Sequence, residues 1–211
     1  MHFLITAGGT REYIDPVRFI SNASSGRMGY ALARAAQKAG HNVTLISASD
    51  LQPPVGVEFV GVDSAAWMFE AVKNFFAKCD CLIMAAAVSD YTPTRPARTK
   101  IKRTGGSLTI KLKPTADILK WAGEHKTEGR GTRHDGRIVV GFALEDKNLR
   151  ANAEKKLKGK NLDMIIANSP AAIGSERAEV QIKLAGQKWL KLSQTSKPII
   201  ARKIISLIEN I

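Results

Sequence analysis

Short apolar runs of strand length alternate with amphipathic stretches of helix length along most of the chain, and that alternation restricts the fold more than any other feature. Residues 2–7, 43–47, 57–62 and 81–86 read as strands. Between them, residues 28–39 are alanine-rich and stop at Gly40, and residues 64–77 carry Trp67, Met68, Ala71, Val72 and Phe75 at helical spacing. Strand, helix and strand in succession predict a mainly parallel sheet with helices on both faces, a Rossmann-like three-layer α/β sandwich. A chain of 211 residues suffices for one such domain and is short for two, so residues 1–211 are expected to form a single domain.

The second half continues the pattern with interruptions. Residues 92–106 hold Pro93, Pro96, Gly105 and a cluster of bases, and read as a mobile flap. Residues 108–112 alternate with period two, 117–124 look helical, and 123–136 read as a polar surface loop. Strands are expected at 138–143 and 164–167, with a basic helix at 151–158 between them. A hairpin with strands near 180–184 and 189–192 is followed by a closing helix at 198–208.

No apolar run approaches the roughly 18 residues that span a bilayer, and no leader-like segment precedes the first strand. A soluble, cytoplasmic protein without a membrane partner is the expectation. Cys79 and Cys81 stand one residue apart, a poor spacing for a disulfide, and no metal-ligand set accompanies them. They are read as buried structural thiols. The 32 basic and 19 acidic residues leave a net charge of +13, which favours anionic partners, either polyphosphate metabolites or nucleic acid.

Four stretches carry candidate chemistry. Gly8 and Gly9 end the first strand, and Ser24, Ser25 and Gly26 open a helix, where backbone N–H groups approachable through glycine suit phosphate oxygens. No G-x-G-x-x-G or G-x-x-x-x-G-K-[ST] motif occurs. The intervening residues 11–22 read as an inserted loop at the carboxyl end of the first strand, dense in hydrogen-bonding groups: Arg11, Glu12, Asp15, Arg18 and Asn22. Next come Ala85, Ala86 and Ala87, small residues at a strand end, with Asp90 beyond them as a carboxylate or a turn cap. Lys100, Lys102 and Arg103 sit on the flap, where closure over a phosphate would supply charge. Lys155, Lys156, Lys158 and Lys160 form a basic run whose ordinary reading is a solvated helix face.

Together these stretches resemble the phosphopantothenoylcysteine synthetase family, known in many bacteria as the C-terminal half of a bifunctional protein with a flavin-dependent decarboxylase. The resemblance rests on Thr6-Ala7-Gly8-Gly9-Thr10-Arg11-Glu12, Asp15-Pro16-Val17-Arg18, Ile20-Ser21-Asn22, Ser24-Ser25-Gly26 and Met28-Gly29. It extends through Ala85-Ala86-Ala87-Val88, Asp90-Tyr91, Lys100-Ile101-Lys102, Gly141-Phe142-Ala143 with Glu145, Asn161-Leu162-Asp163 and Ala167-Asn168. The resemblance implies nucleotide contacts at Ala86, Ala87, Asp90, Lys100, Asp117, Ile118, Phe142, Lys156 and Lys160, with Gly8, Gly9, Ser24, Ser25 and Gly26 at the phosphates. It implies contact of Asn22 with the acyl intermediate, of Arg18 with the pantothenate part, and catalytic roles for Asn22 and Lys100. The chain departs from the family pattern at Ala116, where proline is usual, at Thr99, where an acidic or polar residue often stands, and at Asp146, where threonine is common.

What the resemblance further implies is a ligase that joins 4'-phosphopantothenate to L-cysteine using Mg²⁺ and a nucleotide triphosphate, CTP as in the bacterial enzymes or ATP as in the eukaryotic ones. CTP is favoured. It also implies a homodimer, for which residues 178–192 are a candidate element, and it leaves room for a separate flavin decarboxylase. No flavin is expected in this chain, whose first strand follows directly on Met1. A nicotinamide-dependent reductase is disfavoured, since none of Tyr13, Tyr30 and Tyr91 has a lysine four positions on. A nucleic-acid-binding module lacks the interleaved aromatics of a single-strand platform, so no nucleic-acid partner is expected.

Overall fold

A computed structural model describes residues 1–103, 105–128, 136–175 and 177–211. In chain order the elements of the first half are β1 (His2–Ala7), β2 (Arg11–Tyr13), β3 (Phe19–Ser21), α1 (Arg27–Lys38), β4 (Asn42–Ser47), β5 (Glu58–Gly61), α2 (Ala65–Phe76), β6 (Cys81–Met84) and β7 (Tyr91–Pro93). There follow β8 (Leu112–Pro114), α3 (Ile118–Glu124), β9 (Ile138–Leu144), α4 (Leu149–Gly159), β10 (Met164–Asn168), a 3-10 turn (Pro170–Ala172), β11 (Arg177–Leu184), β12 (Leu190–Ser196) and α5 (Lys197–Ile208).

Eight strands form one sheet in the order β12-β11-β10-β9-β6-β1-β4-β5. From β5 to β10 every pairing is parallel, while β11 and β12 are added antiparallel at one side. This is the mainly parallel, Rossmann-like α/β architecture anticipated from the alternation of apolar runs. The pleat of β1 divides the core: Phe3 and Ile5 face the layer of α1 and α5, and Leu4 faces the layer of α2, α3 and α4. Both faces are covered, which is why β1, β6 and β10 read as continuous apolar runs rather than as alternating ones. Cys79 and Cys81 are buried and form no disulfide, and burial pushes the Cys81 thiol well above its ordinary value.

Several sequence expectations change. Residues 11–22 are not an irregular loop, because β2 and β3 pair as an antiparallel hairpin with Arg11 opposite Ser21. Their two strands of three residues are too short to show alternation. Residues 108–112, expected as a strand, contribute only Leu112 to β8, which pairs with β7 at Tyr91 and Pro114. The flap is therefore the excursion between these two short strands. Gly123 lies within α3 rather than in the expected surface loop, and residues 129–135 of that loop lie outside the described residues. In the closing hairpin, β11 is paired on both sides, so only the outer edge of β12 is open.

Candidate active site

The carboxyl ends of β6, β9 and β10 border one cleft of about 840 Å³, and the end of β1 lies beside β6 in the sheet. That is where open parallel sheets bind ligands, because the strand order there leaves a crevice between loops that diverge to opposite faces. The volume lies within the several-hundred-Å³ range that accommodates a small-molecule ligand.

The floor begins with a tight approach of backbones. Gly8 has a φ of 85°, and a Cβ there would lie 2.6 Å from the Ser49 nitrogen. At Gly9 a Cβ would lie 2.5 Å from the Asn22 carbonyl oxygen. Gly8 accepts from the Ala87 N–H at 2.8 Å, and Gly9 bridges to Ala87. The two glycines thus draw the strand ends and Asn22 together from beneath, and neither is part of the cleft wall. Threonine hydroxyls complete the support: Thr6 Oγ1 accepts from Ala86 N–H at 3.2 Å, Thr10 Oγ1 from Ser89 N–H at 2.9 Å, and Thr115 Oγ1 donates to the Ser89 carbonyl at 2.7 Å.

On that floor the cleft wall includes Asn22, Ser24, Ser25, Gly26, Ala86, Ala87, Asp90, Asp117, Ile118, Phe142, Lys156 and Lys160. Gly26, at φ 76°, is the N-cap of α1 and supplies no side-chain hydrogen bond to the first turn. Its missing Cβ also lets Ser49 close in, since a Cβ would lie 2.8 Å from the Ser49 Cβ. Asn22 Nδ2 donates to the carbonyls of Ala87 and Val88, each at 3.2 Å, which leaves Oδ1 as its open acceptor.

The opposite wall is basic and cross-braced. Asp117 caps α3, accepting the Lys120 N–H at 3.0 Å, and pairs with Lys160 Nζ at 2.7 Å. Burial works to raise the Asp117 carboxyl, but the hydrogen bonds from Lys160 and Lys120 and the charges of Lys160 and Lys156 outweigh it, and the pKa is lowered. Lys156 donates to the Phe142 carbonyl at 2.7 Å. Burial, joined by repulsion from Lys160, lowers its pKa, against the attraction of Asp117, Glu145 and Asp90. A basic helix face that read as merely solvated is thus turned partly inward.

Arg18 and Lys100 do not line the cleft. Arg18 Nη2 pairs with the buried Asp15 carboxylate at 2.5 Å and also donates to the Ile101 carbonyl at 2.6 Å. Lys100 is exposed on the flap next to that contact. Two members of the polar-rich segment have structural partners: Arg11 pairs with Asp50 at 2.6 Å, and buried Glu12 accepts the N–H of Ala65, the first residue of α2, at 2.8 Å. Cleft residues that the sequence reading did not single out include Thr115, Ile173, Lys197 and Ile200, brought in by β8, by the turn after β10 and by α5.

The fold and cleft define a Rossmann-like α/β domain whose ligand crevice has a helix start on one wall and lysines on the other. Over residues 1–211 the chain matches the family described as "DNA/pantothenate metabolism flavoprotein C-terminal domain", and it belongs to that family. It is 48% identical over 176 residues to the coenzyme A biosynthesis bifunctional protein CoaBC of Bacillus subtilis, covering 82% of this chain and 41% of that protein. The chain spans about half the length of the curated relatives it matches. Among solved structures it resembles the C-terminal domain of a coenzyme A biosynthesis bifunctional protein CoaBC, with a TM-score of 0.81, 38% identity and coverage of 99% of this chain and 93% of that one. It also resembles the DNA/pantothenate metabolism flavoprotein from Streptococcus pneumoniae, with a TM-score of 0.83, 25% identity and coverage of 100% and 99%.

Proposed function

We propose that this domain is a phosphopantothenate–cysteine ligase acting in coenzyme A biosynthesis through an acyl-nucleotidyl intermediate. The observation that carries the reading is the single cleft that joins Asn22 and the uncapped start of α1 to Asp117, Phe142, Lys156 and Lys160, residues far apart in sequence. Membership of the family and the similarity to coenzyme A biosynthesis proteins CoaBC support the reading.

In the first step a carboxylate oxygen of 4'-phosphopantothenate attacks the α-phosphorus of the nucleotide. The bond to pyrophosphate breaks, and an acyl-nucleotidyl anhydride forms. The cysteine amine then attacks the acyl carbon, the bond to the nucleoside monophosphate breaks, and the amide forms with loss of a proton. Two anions must meet in the first step, so fixed positive charge and exact placement carry most of the acceleration. The α1 first turn with Ser24 and Ser25 is assigned to phosphate, Phe142, Asp117 and Ile118 to the nucleoside, and Lys156 and Lys160 to the negative charge of the nucleotide's phosphates. Ala86 and Ala87 let the nucleotide lie against backbone, with Asp90 at the rim.

Lys100 supplies the charge that the transition state needs once the flap has moved toward the cleft. Asn22 holds the acyl group: to donate to its oxygen the amide gives up one of the 3.2 Å bonds to Ala87 or Val88. Arg18 retains Nη1 for an anionic or carbonyl group of the pantothenate part. Mg²⁺, where bound with the nucleotide, would offset the negative charge of its phosphates. Among the described residues no three His, Cys, Asp or Glu side chains gather as a resident metal site.

CTP is the proposed nucleotide, with ATP as the alternative, and the working unit is proposed to be a homodimer. No helix among the described residues is long and apolar enough to cross a membrane. Carboxylate-labelled ¹⁸O-phosphopantothenate tests the chemistry directly. Label recovered in the nucleoside monophosphate is the expected result, whereas label in inorganic phosphate would mean attack at the terminal phosphorus and an acyl phosphate instead.

A further inference from the structure

The flap is held at one peptide by a device that the cleft does not explain. Asp15 lies in the turn between β2 and β3, and its carboxylate is fully buried. Its Oδ1 accepts the N–H groups of Val17 and Arg18, each at 2.9 Å. Its Oδ2 accepts Arg18 Nε at 3.0 Å, Arg18 Nη2 at 2.5 Å and, across 86 residues of sequence, the Ile101 N–H at 3.1 Å. Arg18 Nη2 turns back to the other side of the same residue and donates to the Ile101 carbonyl at 2.6 Å. Ile101 is thus gripped at both its N–H and its C=O by one ion pair. The only other backbone bond between the flap and this hairpin among the described residues runs from Ala97 N–H to the Ile14 carbonyl, at 2.8 Å.

A buried carboxylate that saturates its oxygens on one turn and one distant peptide is a costly way to tidy a surface loop. The gripped N–H belongs to the peptide bond that follows Lys100, so the grip constrains the backbone from which the Lys100 side chain departs. The other end of the hairpin leads through β3 to Asn22 on the cleft wall. At about 3.3 Å per residue, the four steps from Arg18 to Asn22 span roughly 13 Å. Lys100 itself stands outside the cleft, so it reaches a reacting phosphate by movement of the flap, and that movement needs a fixed point.

We infer that the Asp15–Arg18 pair is that fixed point: Asp15 is a positioning residue for the reaction, acting through Lys100 by holding the Ile101 peptide. This rests on the ligase reading and on the charge role given to Lys100. Hydrogen bonding explains why Asp15 is suited to it. Burial alone would raise the carboxyl, yet the N–H of Val17, the Arg18 guanidinium and the N–H groups of Ile101 and Arg18 hold it well below the ordinary range, so it stays charged at any pH near neutral.

The test is a double-mutant cycle on pyrophosphate release in the full chain, using Asp15→Asn, Lys100→Gln and the pair, with thermal melts as a control on folding. The expected result is a loss of turnover of at least about tenfold for Asp15→Asn, with little change in KM for the nucleotide and almost no further loss when it is added to Lys100→Gln. Additive losses, an unchanged turnover or a rise in Asp15→Asn would overturn the inference, as would normal turnover in Lys100→Gln. Amide exchange at Ile101, which needs no substrate, decides the grip separately: it should quicken in Asp15→Asn and in Arg18→Lys, and unchanged protection in both would overturn it. Should the wild-type chain release no pyrophosphate, the ligase reading fails by itself, and with it the catalytic role of the clamp, whatever the exchange data show of the grip.

Discussion

The two sides of the cleft are held by different physics. The floor, made by the ends of β1, β6 and β9 and the start of α1, is set by apolar burial: Phe3, Leu4, Ile5, Leu82 and Ile83 are inaccessible to solvent, and glycines bring backbones within contact. The β2–β3 hairpin and the flap show the reverse. Tyr13, Val17, Phe19 and Ile20 are exposed, and polar pairs do the fastening: Glu12 to the start of α2, Arg11 to Asp50, and the buried Asp15 with Arg18 to the flap. A floor held by packing can keep phosphate-facing backbone in place without ligand, whereas a flap held by a few hydrogen bonds at Ala97 and Ile101 can move and still return to the same place. Stability should therefore follow the floor, and turnover should follow the flap.

The largest expected effect breaks the comparison most readily. Lys100→Gln should lower turnover by about 100-fold or more, the scale set by removing one group that meets transition-state charge, while leaving the melting temperature unchanged. A stable variant with near-normal turnover would remove the flap from the chemistry.

Gly29→Ala asks the converse of the floor. Its new Cβ would stand 2.5 Å from the Ala7 Cβ and 2.9 Å from the Thr6 carbonyl, closer than real contacts allow. Forcing α1 off the sheet should cost about 1–3 kcal/mol in a denaturant melt. A variant as stable as the parent would show that α1 is not seated by packing.

Asp117→Ala bears on both sides. It removes the α3 cap, worth about 1 kcal/mol, and frees Lys160. Nucleotide affinity, read by calorimetric titration, should weaken as the braced lysine loses its orientation. Tighter binding would mean that Asp117 holds Lys160 away from the ligand.

The smallest effect is a pH dependence. Burial, which would raise the Asp15 carboxyl, is outweighed by its hydrogen bonds, so its folded pKa lies below the unfolded value of about 3.8. Its contribution to stability is accordingly complete above that pH and is lost as pH falls through the depressed folded value. Melts of the parent and of Asp15→Asn should therefore converge as the medium is made more acidic than about 3.8. A gap that stays constant into strong acid would contradict the charged clamp.

How far the amino-acid sequence discloses this arrangement also divides along the same line. Parallel strands such as Cys81–Met84 and Met164–Asn168 are legible because burial on both faces demands unbroken apolar runs. The Gly40 stop after α1 is legible for an equally local reason. The hairpin was not, because three residues per strand give no period, and its polar density suggested chemistry where Glu12 in fact caps α2 and Arg11 braces Asp50. Nothing local to Asp15 signals a partner at Ile101. Likewise Thr6 and Thr10 look like ordinary strand-end residues until the fold brings Ala86 and Ser89 against them. Of the candidate site, the residues on the ends of recognisable elements and the family motifs could be read, but the wall formed by Ile173, Lys197 and Ile200 could not, since it exists only once α5 packs beside α1.

The central claim is carboxylate activation by this cleft, and pyrophosphate release from the purified chain measures it most directly. With 4'-phosphopantothenate, Mg²⁺ and either CTP or ATP supplied, release should depend on phosphopantothenate and run faster with CTP, and added cysteine should convert the intermediate to phosphopantothenoylcysteine. Release from neither nucleotide, with or without cysteine, would contradict the account and leave the cleft as a binding site without this chemistry.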